Sequence, residues 1–198
     1  MNVIDPWSPI VLQENCPIQN WDQIKAKADS LLTGVNNNSE LEVGNAISTV
    51  AEQVAPYTWD ELAYFREWLN PRLSEVIDRW KLSYPRYGIV GSWVNRHYRT
   101  GKTLEHCHRG CDIIVVYYLN VPENSGRLIV RDPMEYHWNG SISHQRGRND
   151  LIGGYPIDVK TGDVVIFPAW LNHSTEESKT DEPRYIMSTN FAGDRVGN

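Results

Sequence analysis

The first 82 residues show the spacing of apolar positions that is typical of helices. Asn20 can cap a helix with Gln23 three residues later, and Gly34 is a suitable residue to end it. The apolar stripe between these ends consists of Trp21, Ile24, Leu31 and Leu32. The pattern therefore predicts a first helix from Asn20 to Gly34, followed by a polar loop.

A longer amphipathic helix is predicted after Thr58, because Glu61 lies three residues later and completes a second capping box. Apolar residues then recur at spacings of three and four positions, at Trp59, Leu62, Phe65, Leu69, Leu73, Val76, Ile77 and Trp80. We expect a disturbance at Asn70-Pro71, since proline disfavours a helical conformation of the residue before it. Residues 40–54 have a weaker pattern, which we also interpret as helix.

After Tyr84-Pro85 the pattern changes to short runs rich in β-branched and aromatic residues, separated by Gly, Pro, Asn and Asp. The predicted strands are 88–98, 113–119, 127–131, 156–159, 163–168 and 184–191. No long helical pattern interrupts them, so we expect antiparallel strands packed as two sheets, with the helices bracing one sheet. The segment 134–155 is long for a plain connection, and we interpret it as a lid or binding loop.

Charge and cysteine content narrow the classes of function. Nineteen Lys and Arg against 25 Asp and Glu give a formal charge of -6, so there is no general basic surface to bind nucleic acid through its phosphates. Three cysteines are too few and odd in number for a disulfide framework, which favours a reducing compartment. The N-terminus lacks the features of a signal peptide, and no apolar run is long enough for a membrane span. We expect a soluble cytoplasmic protein.

Two histidines, His106 and His108, stand two positions apart just before the most strand-like run of the chain. Side chains two apart on an extended strand point to the same face, so this pair is arranged to hold one metal ion. The alternative is that each imidazole forms hydrogen bonds in a half-buried sheet. Cys107 and Cys111 could suggest a zinc cluster, but the chain has no second ligand pair at comparable short spacing.

A third histidine follows the predicted strand 163–168, which begins at the Gly162-Asp163 turn and ends at Pro168. His173 lies just beyond this strand, and Arg184 begins the next strand eleven residues later. A histidine after one strand and an arginine at the start of its hairpin partner are expected to lie close together.

The order of these motifs resembles that of the Fe(II)/2-oxoglutarate-dependent oxygenases. The motifs are His-x-His at 106–108, Tyr-Tyr-Leu-Asn at 117–120, Gly-Asp-x-x-x-Phe-Pro-x-x-x-x-His at 162–173, and Arg184. The resemblance covers about residues 88–191 and is greatest to small prolyl-hydroxylase-like proteins of bacteria and their phages. It implies a mainly β fold with N-terminal helices, in which a cupin-like double-stranded β-helix, or jelly roll, carries the metal at one open end.

The length suits a single domain over residues 1–198, with 1–82 as a helical support region and 83–198 as the jelly-roll catalytic core. By resemblance, His106 and His173 are iron ligands, and Arg184 receives the far carboxylate of 2-oxoglutarate. The chain departs from the usual motif at His108, where the family has a carboxylate. We assign His108 as the third ligand on its spacing, and Asp112 is the alternative.

Other candidates depend on which strand face points inward. Either Asn95 or Tyr98 could reach the 2-oxo acid from the strand before the histidine pair. His97 is a rival metal ligand, but no partner stands at a fixed spacing from it, and we assign it to packing. Four further residues are interpreted as non-functional, Tyr117 and Tyr118 as core aromatics and His137 and His144 as solvated side chains of the lid.

The resemblance implies an enzyme that binds Fe(II), 2-oxoglutarate and O₂, hydroxylates a C–H bond and releases succinate and CO₂. A prolyl or other amino-acid side chain in a peptide, a free amino acid and a modified base are all open as substrates, and the acidic chain disfavours DNA. A phage-encoded protein of this kind would act in the host cytoplasm. Two alternatives remain, a cupin-type three-histidine dioxygenase that uses no 2-oxoglutarate and a non-catalytic jelly-roll binding module.

Overall fold

The computed structural model describes residues 11–35, 40–52, 54–84, 86–133 and 154–194. The helices are α1 (Trp21–Thr33) and α2 (Ala63–Trp80), with 3₁₀ turns at Pro56–Thr58 and Asp60–Leu62. The strands are β1 (Leu12–Asn15), β2 (Glu42–Val43), β3 (Ala46–Ser48), β4 (Tyr87–His97), β5 (Lys102–Thr103), β6 (Ile113–Asn120), β7 (Leu128–Val130), β8 (Tyr155–Ile157), β9 (Asp163–Pro168), β10 (His173–Thr175) and β11 (Arg184–Gly193).

Two antiparallel sheets form the centre of the fold. The larger sheet has six strands in the order β1-β9-β6-β11-β4-β3, and the smaller has three in the order β10-β7-β8. A further pair, β2 and β5, joins Glu42 to Thr103 and Val43 to Lys102. All of these strand pairs are antiparallel, and the predicted mainly β jelly roll with N-terminal helices is confirmed.

The larger sheet buries both of its faces, as alternate residues of β6 show. Ile113, Val115 and Tyr117 pack with α1 and α2 in one apolar cluster. Ile114, Val116 and Tyr118 belong to the other cluster, which lies between the two sheets. Because side chains alternate across a strand, the seven buried residues from Ile113 to Leu119 supply both layers of the core.

The first helix matches its prediction, but its cap does not. The helix spans Trp21–Thr33, and Gly34 follows its last residue as predicted. Asn20 has a left-handed backbone with φ 55° and makes no side-chain cap hydrogen bond. Its amide instead donates to Glu61 O at 3.4 Å, so a contact with a distant segment replaces the local cap.

The predicted capping box of the second helix is wrong. Residues 56–62 form two 3₁₀ turns, and the Thr58 hydroxyl donates back to Ala55 O at 2.8 Å. The disturbance predicted at Asn70-Pro71 is also wrong, because Pro71 lies inside a continuous helix. Burial of Phe65, Leu69, Leu73 and Val76 against the sheet outweighs the hydrogen bond that proline removes.

The helix predicted over residues 40–54 is wrong as well, since this segment forms β2 and β3. Ala46, Ile47 and Ser48 pair with the end of β4, so a tertiary pairing decides the conformation of a segment with weak periodicity. The first 82 residues thus contribute strands as well as helices. No helix in the described ranges is both long and apolar enough to cross a membrane. Most of the predicted lid, with His137 and His144, lies outside those ranges.

Candidate active site

His106, His108 and His173 converge at one end of the space between the two sheets. Each offers a ring nitrogen, and these nitrogens lie within 4.8 Å of one another. The Nε2 atoms of His106 and His108 are 3.1 Å apart, and the ring centroids of His106 and His173 are 4.3 Å apart. Within the described part of the chain, no carboxylate or thiol joins this cluster, which we call the histidine triad.

Backbone hydrogen bonds hold the triad together across a long separation in sequence. His106 and His173 form an antiparallel bridge, with N–H···O distances of 3.0 and 2.9 Å in the two directions. The N–H of His108 donates to Ala169 O at 2.9 Å, just after β9 ends. His173 itself begins β10 and pairs with Val130 of β7. The hairpin predicted between the strand before His173 and the strand of Arg184 is wrong, because β9 pairs with β1 and β6 whereas β11 pairs with β4 and β6.

The hydrogen bonds of the triad fix where each ring carries its proton. The Nδ1 atom of each ring lies 2.8 to 2.9 Å from an oxygen that only accepts hydrogen bonds. For His106, His108 and His173 in turn, these oxygens are Leu104 O, Asn190 Oδ1 and Leu171 O. Each Nδ1 therefore carries hydrogen, and in the neutral form of the ring Nε2 keeps a lone pair. This is the arrangement of histidines that bind a metal through Nε2.

The donor set is also neutral enough to bind a cation. Burial lowers the pKa of His173 to about 3, with His106 acting in the same direction. Burial lowers the pKa of His108 to about 4, although its hydrogen bond with Asn190 opposes this shift. Both rings are thus unprotonated at neutral pH. Imidazole nitrogens suit a borderline divalent metal such as Fe(II), so the residues present fit an iron ion.

The triad opens into a cavity of about 260 Å³. The inner face of the larger sheet supplies much of its wall, through Trp93, Asn95, Val116, Tyr118, Ile186, Ser188 and Asn190. The Trp93 ring stacks beside His108 with 5.6 Å between ring centroids. Leu41 and Val50 line the same cavity and are partly exposed, so the cavity is open to solvent.

The structure separates the two residues proposed to reach the 2-oxo acid from β4. Asn95 lines the cavity and accepts a hydrogen bond from Ser48 Oγ at 2.6 Å. Tyr98 does not line it, and its ring instead lies 5.3 Å from the guanidinium of Arg96. Asn95 and Tyr98 are three positions apart, so strand alternation turns them to opposite faces. The geometry therefore favours Asn95 over Tyr98 for this role.

Asp112, the alternative third ligand, is not part of the triad. Its carboxylate accepts the backbone N–H of Gly193 at 2.8 Å. It lines a separate cavity, together with Gly110, Cys111 and neighbouring residues. Asp112 lies just before β6, and its carboxylate connects that end of the strand to Gly193 of β11. The structure therefore favours His108 over Asp112.

Arg184 is fully buried at the first position of β11, opposite His97 of β4. Its Nη1 donates to Gly126 O and its Nη2 to His97 Nδ1, each at 2.7 Å, while its Nε has no partner. The hydroxyl of Tyr118 is also buried without a partner. Arg184 lies near enough to lower the pKa of Tyr118, which burial raises. Two buried, unsatisfied donors on residues that interact electrostatically indicate a place for a ligand oxygen.

Sequence reasoning missed Tyr118 and Asn190. Tyr117 and Tyr118 are adjacent in β6, so strand alternation alone requires that one of them face the space between the sheets. Asn190 shares a face of the predicted strand 184–191 with Arg184, through positions 186 and 188. Period-two alternation was therefore the signal that could have identified both residues.

Comparisons with known proteins agree with this geometry. A family model described as "Putative 2OG-Fe(II) oxygenase" matches residues 91–190, a little over half of the chain. The match begins inside β4 and includes the triad, Tyr118 and Arg184. No curated protein sequence matches the chain.

Similar solved structures include several enzymes. A prolyl-4-hydroxylase from Pseudomonas putida aligns at TM-score 0.59 and 12% identity, covering 92% of each chain. The collagen prolyl hydroxylase of Paramecium Bursaria Chlorella virus-1, in complex with 2-oxoglutarate, aligns at TM-score 0.54 and 12% identity, covering 91% of this chain and 94% of that one. HygX from Streptomyces hygroscopicus, with nickel and 2-oxoglutarate bound, aligns at TM-score 0.55 and 10% identity, covering 93% and 83%. These structures share the fold, and the family match shows that the chain belongs to the 2-oxoglutarate- and Fe(II)-dependent oxygenases.

Proposed function

We propose that this oxygenase hydroxylates an amino-acid side chain in a peptide, with prolyl as the first candidate. Two structural neighbours are prolyl hydroxylases that align over more than nine-tenths of both chains, which supports this choice. In the balanced reaction, one oxygen atom of O₂ enters the substrate as a hydroxyl. The other enters succinate, as 2-oxoglutarate loses CO₂.

In this proposal His106, His108 and His173 hold the iron through their Nε2 atoms. When bound, the iron supplies the coordination positions for the 2-oxo acid and for oxygen. Imidazole ligands bring no negative charge, so the full charge of a divalent ion remains at the site. A carboxylate ligand would reduce that charge by one. The all-histidine set therefore increases the electrostatic attraction for the anionic 2-oxo acid.

The far carboxylate of 2-oxoglutarate is assigned to Arg184 and Tyr118. A guanidinium has five N–H donors, and Arg184 directs two of its nitrogens to Gly126 O and His97. The Nε–H and the Tyr118 hydroxyl remain unpaired and buried. Charge-assisted hydrogen bonds to a carboxylate would satisfy both groups. These two unsatisfied donors, in the same inter-sheet region as the three Nε2 lone pairs, carry the proposal.

The mouth of the cavity offers a surface for the substrate side chain. Trp93 is stacked next to His108, so its ring lies beside the proposed metal position. Leu41 and Val50 add apolar surface at 37% and 44% exposure. An indole face packs well against a saturated ring, which favours a pyrrolidine over a charged side chain.

The test measures succinate formation by the purified protein with Fe(II), ascorbate and 2-oxoglutarate. Proline-containing peptides are compared with matched peptides in which alanine replaces proline. Mass spectrometry of the peptide products detects the gain of one oxygen atom. We expect succinate and hydroxylated peptide in equal amounts, and none with the His173→Ala variant. Substrate oxidation without succinate would instead support the three-histidine dioxygenase. Absence of any 2-oxoglutarate-dependent product would contradict the proposal.

A further inference from the structure

His97 lies between two oppositely charged residues in the interior. It is fully buried, its Nδ1 is 2.7 Å from Arg184 Nη2, and its Nε2 is 2.9 Å from a carboxylate oxygen of Glu42. Thr103 donates its hydroxyl to the same carboxylate at 3.0 and 3.1 Å. His97 is outside the histidine triad, so the proposed metal site does not explain this arrangement.

The chemistry of the three groups fixes the direction of the hydrogen bonds. A guanidinium only donates, so the Nδ1 of His97 must accept from Arg184. The ring proton is then on Nε2 and is donated to Glu42, which only accepts as a carboxylate. Burial also lowers the pKa of His97, which keeps the ring neutral. The hydrogen bonds run from Arg184 to His97 and on to Glu42.

We infer that His97 and Glu42 are positioning residues for 2-oxoglutarate, which orient the Arg184 guanidinium so that its Nε–H stays free for the far carboxylate. This inference rests on the proposed role of Arg184. A direct contact with Glu42 would neutralise Arg184 and compete with the carboxylate of the ligand. A neutral imidazole orients the guanidinium without neutralising it, and Glu42 supplies its negative charge from one residue further away.

The short strands β2 and β5 agree with this role. Within the described ranges they form a sheet of two strands, and their register places Glu42 opposite Thr103. The pair therefore presents the carboxylate and the hydroxyl that meet His97 at the end of β4. Arg184 is held from the other side by the carbonyl of Gly126, between β6 and β7. Four separate segments thus fix one guanidinium in a single orientation before the ligand binds, which reduces the entropy lost on binding.

Two substitutions of His97 separate its two contacts. In His97→Asn the side-chain oxygen lies near the former Nδ1 and can still accept from Arg184. In His97→Gln the longer amide reaches toward Glu42 but leaves Arg184 without its acceptor. Both remove the aromatic ring, so they are matched for the loss of packing. We expect 2-oxoglutarate affinity in the Mn(II)-loaded protein to fall about tenfold or more in His97→Gln and only about threefold in His97→Asn.

Affinity for Mn(II) alone serves as the internal control, and we expect it to be equal in wild type and both variants. Equal losses of 2-oxoglutarate affinity in the two variants, or a larger loss in His97→Asn, would overturn the inference and leave the proposed function standing. If the wild type binds no 2-oxoglutarate, the proposed function fails and the inference fails with it. Nitrogen NMR of metal-free wild type gives a test that needs no variant. We expect the proton of His97 on Nε2, and a proton on Nδ1 would overturn the inference.

Discussion

At the scale of single residues, the charge of the proposed metal site depends on His108. The related motif has a carboxylate at this position, which would bring a negative charge and need no proton partner. His108 is neutral, and Asn190 holds its Nδ1–H at 2.8 Å. The difference from the related motif therefore involves two side chains. His108 is the proposed ligand, and Asn190 on β11 orients its ring. His108 and Asn190 can each be tested separately.

The simplest test removes one ligand of the triad. We expect His106→Ala to abolish stoichiometric binding of Fe(II) or Mn(II) in anaerobic titration calorimetry, because two imidazoles remain where three converge. His106 is only partly buried, so its removal should change thermal stability little. Asp112→Ala is the control, since that carboxylate lies outside the triad. Undiminished metal affinity in His106→Ala would contradict the assignment.

The dependence of His108 on Asn190 predicts a non-additive pair of substitutions. His108→Ala should weaken metal binding, whereas His108→Asp should keep or strengthen it, because the carboxylate adds a negative charge. Asn190→Ala should weaken metal binding by about tenfold to a hundredfold, as loss of an orienting partner does in other metal sites. In the His108→Asp background the same Asn190→Ala change should have little effect. An equal effect of Asn190→Ala in both backgrounds would show that Asn190 does not act through His108.

Tyr118 and Tyr117 are adjacent in the sequence, and we expect their substitution by Phe to have opposite effects on stability. The Tyr118 hydroxyl is buried without a partner, so Tyr118→Phe should stabilise the ligand-free protein by about 1 kcal/mol. The same change should weaken 2-oxoglutarate binding by about tenfold. Tyr117 donates to Cys16 O at 3.0 Å, so Tyr117→Phe should destabilise the protein and leave 2-oxoglutarate affinity unchanged. Urea unfolding and ligand titration of both variants provide the measurement. Loss of stability in Tyr118→Phe would argue against a ligand position at its hydroxyl.

At the scale of elements, β4 and β11 supply the inner-face side chains that surround the triad and the Arg184 guanidinium. Alternate positions of β11 place Arg184, Ser188 and Asn190 on the inner face, and β4 adds Asn95 and His97. This alternation could be read from the sequence, and the six predicted strands are confirmed to within a few residues at each end. Local spacing predicted that His106 and His108 share one face, whereas the convergence of His173 with them was expected from the family resemblance, and the structure shows all three together.

The short elements could not be predicted in the same way. Strands β2, β3, β5 and β10 have two or three residues each, too few to show a period. Their conformation depends on partners such as His97 and Val130, which are far away in the sequence. The contact of Glu42 with His97 belongs to this group, because residue 42 lies in a segment whose weak pattern resembled a helix. Non-local pairing, rather than local propensity, decides these parts of the fold.

The turn after β6 is an element whose backbone serves the site directly. Gly126 has φ +89°, and a Cβ there would lie 2.6 Å from Glu176 O. Its carbonyl accepts from Arg184. We expect Gly126→Ala to destabilise the protein by about 1–3 kcal/mol in urea unfolding and to weaken 2-oxoglutarate binding. Gly34→Ala is the control, because φ there is -98° and nothing lies within 4 Å of the added Cβ. Similar losses in both variants would contradict a special role for the turn.

At the scale of the whole molecule, the helices and the candidate site lie on opposite faces of the larger sheet. Helices α1 and α2 cover one face of the larger sheet, and the site occupies the other face, between the two sheets. That inner region contains unpaired donors on Arg184 and Tyr118, which burial makes unfavourable in the ligand-free state. A ligand that satisfies these donors should therefore stabilise the whole jelly roll, not only the loops at its mouth.

This linkage predicts how thermal unfolding depends on ligands. A ligand that binds only the native state adds about 2.7 kcal/mol at a concentration one hundred times its Kd. For a chain of this length, that corresponds to a rise in Tm of about 5–10 °C. We expect this rise when 2-oxoglutarate is added to Mn(II)-loaded wild type. The rise in Tm should be much smaller without metal, because the 2-oxo acid then lacks its contact with the metal.

Glutarate keeps both carboxylates but lacks the 2-oxo group, so it should stabilise the metal-loaded protein less. Arg184→Lys keeps the charge without the fork of N–H donors, and its rise should fall between those of wild type and a variant that binds no 2-oxoglutarate. Equal shifts with 2-oxoglutarate and glutarate, whether or not metal is present, would show that the ligand binds as a simple dicarboxylate away from the triad.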